Sequence, residues 1–256
     1  GSDELSGKLG REAGLTVGDY AINKGTLDNA NYEITVASGA KLTINKLAIT
    51  VTAESTSKTY GDSDPEFKVD TVVPALVGTD KLSGSLARTD KSENVGDYAI
   101  SKGTLDNANY EITVASGAKL TITKRPITVT AQAKTKVFGE SDPEFTYVPL
   151  ALVGTDKLSG SLGRTDKSEN VGDYVIENVS LVAGDNYEIT YVLAKLTINK
   201  LAVTVTAEST SKTYGDSDPE FKVKSIVPKL IGSDELSGKL GREAGLTVGD
   251  YAINKG

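Results

Sequence analysis

Three short acidic runs hold the residues best suited to chemistry: Asp62, Asp64 and Glu66; Glu140, Asp142 and Glu144; and Asp216, Asp218 and Glu220. Carboxylates at alternate positions of a loop can converge on Ca2+, which takes six to eight oxygen ligands and would stiffen the segment holding it. The same residues within Gly-Asp-Ser-Asp-Pro suit a turn in which Asp side chains accept hydrogen bonds from nearby amides. Neither an EF-hand loop nor a glycine-rich nonapeptide accompanies them. The turn is the expectation, and no catalytic, cofactor-binding or metal-ligating residue is assigned. Paired carboxylates also serve glycoside hydrolysis, but a site triplicated in short units, in a chain without Trp, does not suit a glycosidase.

The rest of the inventory narrows the chemistry further. The chain has no His, Cys, Met or Trp. It therefore lacks the side chain most used for proton transfer near neutral pH, the thiol nucleophile and the usual zinc, haem and iron–sulfur ligands. A net charge of −7 and the lack of any basic run argue against a nucleic-acid partner. Tyr60 and Tyr214 share a repeat position with Phe138, so packing is the expected role there. Tyr20, Tyr98, Tyr174 and Tyr251 each follow Gly-Asp, and a ring packed inward with its hydroxyl on a backbone partner is the default for such a residue. A Lys–Asn isopeptide bond, with Lys119 and Asn109 as an example, would need a buried acid beside the pair and is not expected. Asn178-Val179-Ser180 matches a glycosylation sequon and is read as incidental.

Repetition organises the whole chain. The segment LAITVTAESTSKTYGDSDPEF at Leu47 returns as RPITVTAQAKTKVFGESDPEF at Arg125 and LAVTVTAESTSKTYGDSDPEF at Leu201, intervals of 78 and 76 residues. A second block, LSGSLART at Leu82, returns from Leu158 and, as LSGKLGRE, from Leu5 and Leu236, each time followed by Val-Gly-Asp-Tyr. Residues 1–25 are identical to residues 232–256. The domain reading is therefore 1–46 as the C-terminal part of a repeat, 47–124 and 125–200 as complete repeats, and 201–256 as the N-terminal part of another. A window that opens and closes in mid-repeat suggests a section of a longer array, and its last part is expected to leave an open sheet edge that a strand from another molecule could fill.

These repeats must be positioned by strands. Ile49, Val51 and Ala53 alternate with Thr50 and Thr52, and Tyr110, Ile112 and Val114 show the same two-residue period, as do Leu120 and Ile122. Asp106-Asn107-Ala108 reads as the turn of a hairpin between Tyr98–Leu105 and Asn109–Val114. The stretch Ala75–Asp80 after Pro74 is the one place for a short helix, or else a turn, with its glycine as the stop. Across Asn45-Lys46 the apolar parity switches from Leu42 and Ile44 to Leu47, Ile49 and Val51, so one extended segment can serve two successive cores. The fold class expected is mostly β: tandem small β domains, β-grasp-like or Ig-like sandwich, in a linear rod. The β-grasp form, with the segment after Pro74 as crossing helix, is narrowly preferred. The apolar runs Val72–Val77 and Val148–Val153 are far too short to span a membrane.

The ordered motifs Tyr60-Gly61-Asp62-Ser63-Asp64-Pro65, Gly78-Thr79-Asp80-Lys81-Leu82-Ser83-Gly84, Val95-Gly96-Asp97-Tyr98 and Asn109-Tyr110, ending in Leu120-Thr121-Ile122, resemble the YGX-type MBG repeat along essentially the whole chain. Phe138-Gly139-Glu140 departs from the Tyr-Gly-Asp pattern. The resemblance implies an extracellular module of large bacterial surface or adhesin-like proteins, and it brings no catalytic residues. The expected function is a non-enzymatic spacer or stalk that projects a distal binding region at the cell surface. In the alternative reading, the repeats themselves bind a host or matrix ligand weakly and gain by multivalency. The partners expected are adjacent repeats of the same chain and further copies in head-to-tail self-association.

Overall fold

A computed structural model of the protein describes residues 3–256. Among them there are strands and turns but no helix. The chain divides into two compact units: Gly1–Ile127 with Leu152–Asp156 and Ala183–Glu188, and Thr128–Ala151 with Lys157–Val182 and Ile189–Gly256.

In the first unit, residues 1–46 carry β1 (Gly10–Arg11), β2 (Gly18–Asn23) and β3 (Lys41–Ile44), in sheet order β1-β2-β3. The repeat at 47–124 carries β4 (Leu47–Ala53), β5 (Thr56–Thr59), β6 (Val69–Val73), β7 (Ala87–Arg88), β8 (Gly96–Ser101), β9 (Tyr110–Val114) and β10 (Lys119–Thr123). These form two sheets, β6-β4-β9 and β5-β10-β8-β7. β4 lies parallel to β9 and antiparallel to β6, while β10 lies parallel to β5 and antiparallel to β8. The alternation of β4 turns Ile49, Val51 and Ala53 inward, where they meet Tyr110 and Ile112 of β9, Ile100 of β8, Leu86 and Leu105 in one core.

The repeat at 125–200 repeats this plan with β11 (Arg125–Thr130), β12 (Lys134–Val137), β13 (Leu162–Gly163), β14 (Gly172–Asn178), β15 (Tyr187–Val192) and β16 (Ala194–Asn199). β11 pairs with β15, and the order β12-β16-β14-β13 matches β5-β10-β8-β7. In the second unit its core gathers Val129, Ala131, Leu162, Ile176, Leu181, Leu196 and Ile198. Residues 201–256 form two antiparallel ribbons, β17 (Thr204–Ala207) with β18 (Val223–Val227), and β19 (Leu240–Arg242) with β20 (Ile253–Lys255).

Two expectations are corrected. Ala75–Asp80 forms turns: Gly78 takes φ +59° and the Asp80 amide donates to the Val77 carbonyl at 3.1 Å. Six residues containing a left-handed glycine cannot meet the cost of a helix nucleus, so the β-grasp-like form with its crossing helix is set aside. Two sheets around one core are closer to the sandwich, although both sheets include a parallel pair. The residues around Asp106 likewise do not close a hairpin, because β8 and β9 lie in different sheets. Asn107 Oδ1 accepts the Asn109 amide at 2.9 Å, a turn that carries the chain from one sheet to the other.

The parity switch at the joins is present. Leu120 and Ile122 of β10 are fully buried, and after Lys124 the inward positions pass to odd numbers, with Val129 buried on β11. Residues 104–122 are identical to residues 26–44, yet Leu120 is 0% exposed where Leu42 is 42%, because only β10 has a strand on each side. Leu120→Ala is expected to cost about 2–5 kcal/mol and Leu42→Ala under about 1 kcal/mol. Urea melts of the two variants against the parent chain would check the difference.

Candidate functional site

Polar residues gather at two places, a charge cluster inside each complete repeat and the joint where one repeat meets the next. The cluster begins with Lys58 on β5 and Arg88 at the end of β7, both buried. Arg88 Nε donates to Asp64 Oδ2 at 2.7 Å, and Lys58 Nζ meets Asp64 Oδ1 at 2.7 Å. Glu93 closes the figure by pairing with both cations. Arg88 Nη1 also donates to the carbonyls of Asp90 and Ser92, which fixes the loop that carries Glu93. Two positive and two negative charges thus balance, as burial requires.

The repeat at 125–200 builds the same figure from Lys136, Asp142, Arg164 and Glu169. Arg164 is 1% exposed and holds Asp142 with two hydrogen bonds, from Nε at 2.8 Å and Nη2 at 3.0 Å. In residues 201–256 the cluster has three members, Lys212, Asp218 and Arg242. There the loop reads Arg242-Glu243-Ala244-Gly245 in place of Arg-Thr-Asp-Lys, and Arg242 donates instead to the Glu243 and Gly245 carbonyls.

The arginines also organise the Gly-Asp-Tyr tyrosines. Arg11, Arg88, Arg164 and Arg242 lie 5.0–5.4 Å from the ring centroids of Tyr20, Tyr98, Tyr174 and Tyr251, a cation–π distance. Each of these hydroxyls donates to a backbone carbonyl four residues upstream, at 2.7–2.8 Å. The expected backbone partner is therefore present in all four copies.

The clusters titrate as ion pairs. Hydrogen bonds from Arg164, and then from Lys136, overcome the effect of burial and lower Asp142 from its usual 3.8 to about 2. Burial would raise Asp64, but the hydrogen bonds from Arg88 and Lys58 outweigh it and hold the carboxyl below its ordinary value. Lys58 is raised because Asp64 and Glu93 outweigh the opposing effect of burial. These shifts keep every member charged near neutral pH, which suits a structural figure and gives no group poised for proton transfer.

The joint lies within the first unit. The Tyr60 amide donates to the Thr123 carbonyl at 2.9 Å, and its hydroxyl donates to Asp156 Oδ2 at 2.8 Å. Tyr187 donates to the same oxygen at 2.7 Å and accepts the Val153 amide at 2.8 Å, and the two tyrosine rings meet edge to face at 5.4 Å. Beside them Gly61 takes φ +84°, and a Cβ there would sit 2.5 Å from Val153. Glycine is thus required both for the turn and for the close approach. Asn186 Oδ1 accepts the Val95 amide at 2.9 Å, and Asn186 Nδ2 donates to Asn94 Oδ1 at 3.0 Å. The preceding joint has the same contact, the Val17 amide donating to Asn109 Oδ1 at 3.1 Å.

The acidic runs are dispersed by these partners. Asp62 pairs with Arg125, Asp64 with Lys58 and Arg88, and Glu66 is exposed. Glu140 Oε2 accepts the Val137 amide at 2.8 Å and Glu144 lies apart from the Asp142 cluster. Asp218 takes Lys212 and Arg242, while Asp216 and Glu220 are not among its partners. Among the described residues no group of three or more acidic side chains converges as a metal site would. Lys119 and Asn109 are not brought together either: Lys119 Nζ meets Asp97 at 2.5 Å, and Asn109 serves the joint. Sequence reading missed the Lys–Arg half of the cluster. Its signal was a lysine at an inward position of Thr-Ser-Lys-Thr, recurring at Lys58 and Lys212, with Lys136 at the matching place in Lys-Thr-Lys-Val.

A model of the MBG domain (YGX type) matches residues 1–43, 49–121, 127–197 and 203–256. No curated protein and no solved structure matches the chain.

Two outcomes follow from this geometry. A carboxyl lowered on folding stabilises the protein above its unfolded pKa and loses that contribution as pH falls through the folded value. For Asp142 the loss should run from about pH 5 down towards pH 2, on the order of 1 kcal/mol after solvent screening. Urea midpoints against pH should show this acid slope, and Asp142→Asn should flatten it. At the joint, Tyr60→Phe should cost about 1 kcal/mol, whereas Tyr214→Phe, at an exposed hydroxyl, should change the melt by less than about 0.5 kcal/mol.

Proposed function

Because the chain belongs to the MBG domain (YGX type) family, we propose that its repeats are spacers of a secreted bacterial surface protein, extending a distal binding region away from the cell. The observation that carries this reading is the joint. β10 ends at Thr123 and β11 begins at Arg125, so one extended segment passes between repeats without a flexible linker. Around it, Tyr60–Asp156, Val95–Asn186 and the Arg125 bonds to the Tyr60 carbonyl and Asp62 hold the extended segment in place within the first unit. A short connection bonded on both sides, with no flexible linker, suits a spacer.

The polar clusters fit the same role. They are neutralised within themselves and hold loops and strand ends in place. The function is mechanical extension at the cell surface, with no bond made or broken.

Small-angle scattering on chains of increasing repeat number tests the reading. The maximum dimension should grow linearly, by roughly 30–40 Å per repeat if about ten to twelve extended residues span each one. A dimension that levels off as repeats are added would overturn it. Labelling of intact cells should place the repeats outside the cell envelope.

A further inference from the structure

In the repeat at 47–124 the first and last segments of chain run side by side. Leu47–Val51 of β4 lies parallel to Tyr110–Val114 of β9, and Thr56–Thr59 of β5 lies parallel to Leu120–Thr123 of β10. The two pairings belong to different sheets, yet bonds join the segments across the gap between them. The Ala115 amide donates to the Val51 carbonyl at 2.8 Å, and the Lys119 amide donates to Ser55 Oγ at 3.2 Å. At one end the Leu47 amide donates to the Asn109 carbonyl at 3.0 Å, and at the other the Tyr60 amide donates to the Thr123 carbonyl at 2.9 Å. From Leu47 to Tyr60 the opening segment of the repeat is thus bonded to its closing segment along its length.

Chain direction decides what this pairing does under tension. Because the segments are parallel, the chain enters at Leu47, at one end of the pairing, and leaves at Thr123, at the other. A pull on these two exits slides one segment lengthwise past the other. Parallel ladder bonds are evenly spaced along the strands, so they share that load and must fail together. A pair whose exits lay at the same end would instead open one bond at a time. β6 and β8 flank the other sides of β4 and β10, and they and β7 lie off this line. The repeat at 125–200 has the same arrangement. Lys134–Val137 of β12 lies parallel to Leu196–Asn199 of β16. The Arg125 amide donates to the Asn186 carbonyl at 2.9 Å, as Leu47 does to Asn109, and the Phe138 amide donates to the Asn199 carbonyl at 2.8 Å, as Tyr60 does to Thr123. Lys124 alone separates the strand by which tension leaves one repeat from the strand by which it enters the next.

We infer that each complete repeat is a shear clamp, in which the parallel pairing of opening and closing segments bears tension along the chain while the remaining strands stay unloaded. Its purpose rests on the spacer reading, since a spacer between a cell and a bound surface is pulled at both ends. The clamp strands also carry the core. Ile49, Val51, Tyr110 and Leu120 are at most 2% exposed, so sliding the segments breaks apolar packing together with the ladder. Forced unfolding is governed by the unfolding rate, so the clamp is a property of pulling direction and not of equilibrium stability alone.

Two pulling directions supply the test. The chain has no native cysteine, so handles can be attached at chosen exposed residues of the full chain, kept reduced until coupling. Lys46→Cys with Lys124→Cys loads the clamp in shear, whereas Lys46→Cys with Ala108→Cys pulls on the starts of β4 and β9, which lie at the same end, and peels the same bonds in turn. In single-molecule force spectroscopy at one loading rate, the shear pair should unfold at a force at least about twofold above the peeling pair, because evenly spaced bonds share the load only in shear. Ala115→Pro, which removes the amide that bonds Val51, should lower the shear force. Thr89→Pro, which removes the Thr89 amide bond to the Ala99 carbonyl off the line of tension, should leave it unchanged. Equal forces in the two directions would overturn the inference, as would a shear force that Thr89→Pro lowers as much as Ala115→Pro does. The comparison of directions uses surface handles only, so it decides the matter even if a proline variant fails to fold. A weak clamp would leave the spacer reading intact, because the growth in dimension seen by scattering needs no tension. A dimension that levels off while the repeats still resist shear would overturn the spacer reading and leave the clamp.

Discussion

Each complete repeat depends on one pairing: its last strand is the middle strand of its sheet, parallel to a strand laid down near its beginning. β10 meets β5 across more than sixty residues of intervening chain, with Leu120 opposite Thr56. Until that segment arrives, the sheet has two walls and nothing between them. Parallel pairings of this separation carry a large loop-closure cost before any contact repays it, so the repeat gains its stability late and together. Leu120 and Ile122, among the most buried residues of their repeat, sit on this strand. The same segment then continues into β11 after one residue. Closing one repeat therefore fixes where the next begins.

The charge cluster lies on the same face of that sheet, with Lys58 beside Ile122 and Arg88 beside Ile100. Lys58 comes from β5, Arg88 from β7, Asp64 from the turn after Tyr60 and Glu93 from the loop before β8. Burying two cations, Lys58 and Arg88, against carboxylates that stay partly exposed is a poor route to net stability, because the desolvation cost is close to the Coulombic gain. Its effect is on specificity. A shifted register would leave a buried lysine or arginine without its carboxylate, which costs far more than a lost apolar contact. In residues 201–256, where the loop after Arg242 has no acidic counterpart of Glu93, the cluster keeps Lys212, Asp218 and Arg242 and is more exposed.

Much of this was legible in the residues. The repeat phase, the inward set Ile49, Val51 and Ala53, and the parity switch from Leu42 and Ile44 to Leu47 and Ile49 follow from a strict two-residue period, and burial on β4 obeys it. The MBG likeness lay in the order of motifs. What failed was pairing at a distance. Asp106-Asn107-Ala108 has turn chemistry that a hairpin and a sheet-to-sheet crossing share, and only the partner of β9 distinguishes them. Ala75–Asp80 has residues a helix tolerates, but Gly78 at positive φ decides for turns. The acidic runs looked like one site because they are close in sequence, yet Asp62 and Asp64 serve different arginines, Arg125 and Arg88. Tyr60 was read as packing because Phe138 shares its place, and its hydroxyl contact to Asp156 spans two repeats that a single-repeat comparison does not see.

Near-identical repeats carry a hazard, since any strand with the sequence of β10 could enter the vacancy of any repeat. Multidomain chains misassemble by such exchanges when neighbours are alike. In this chain the complete repeats that adjoin differ where the exchange would occur. The middle strand of 125–200 is preceded by Tyr187–Val192 and Leu193, in place of the Tyr110–Val114 strand and its Ala-Ser-Gly turn. Tyr191 also donates to the Leu181 carbonyl at 2.5 Å, a contact that Val114 at the matching place could not supply. Exchange between 47–124 and 125–200 would thus lose a fitted contact.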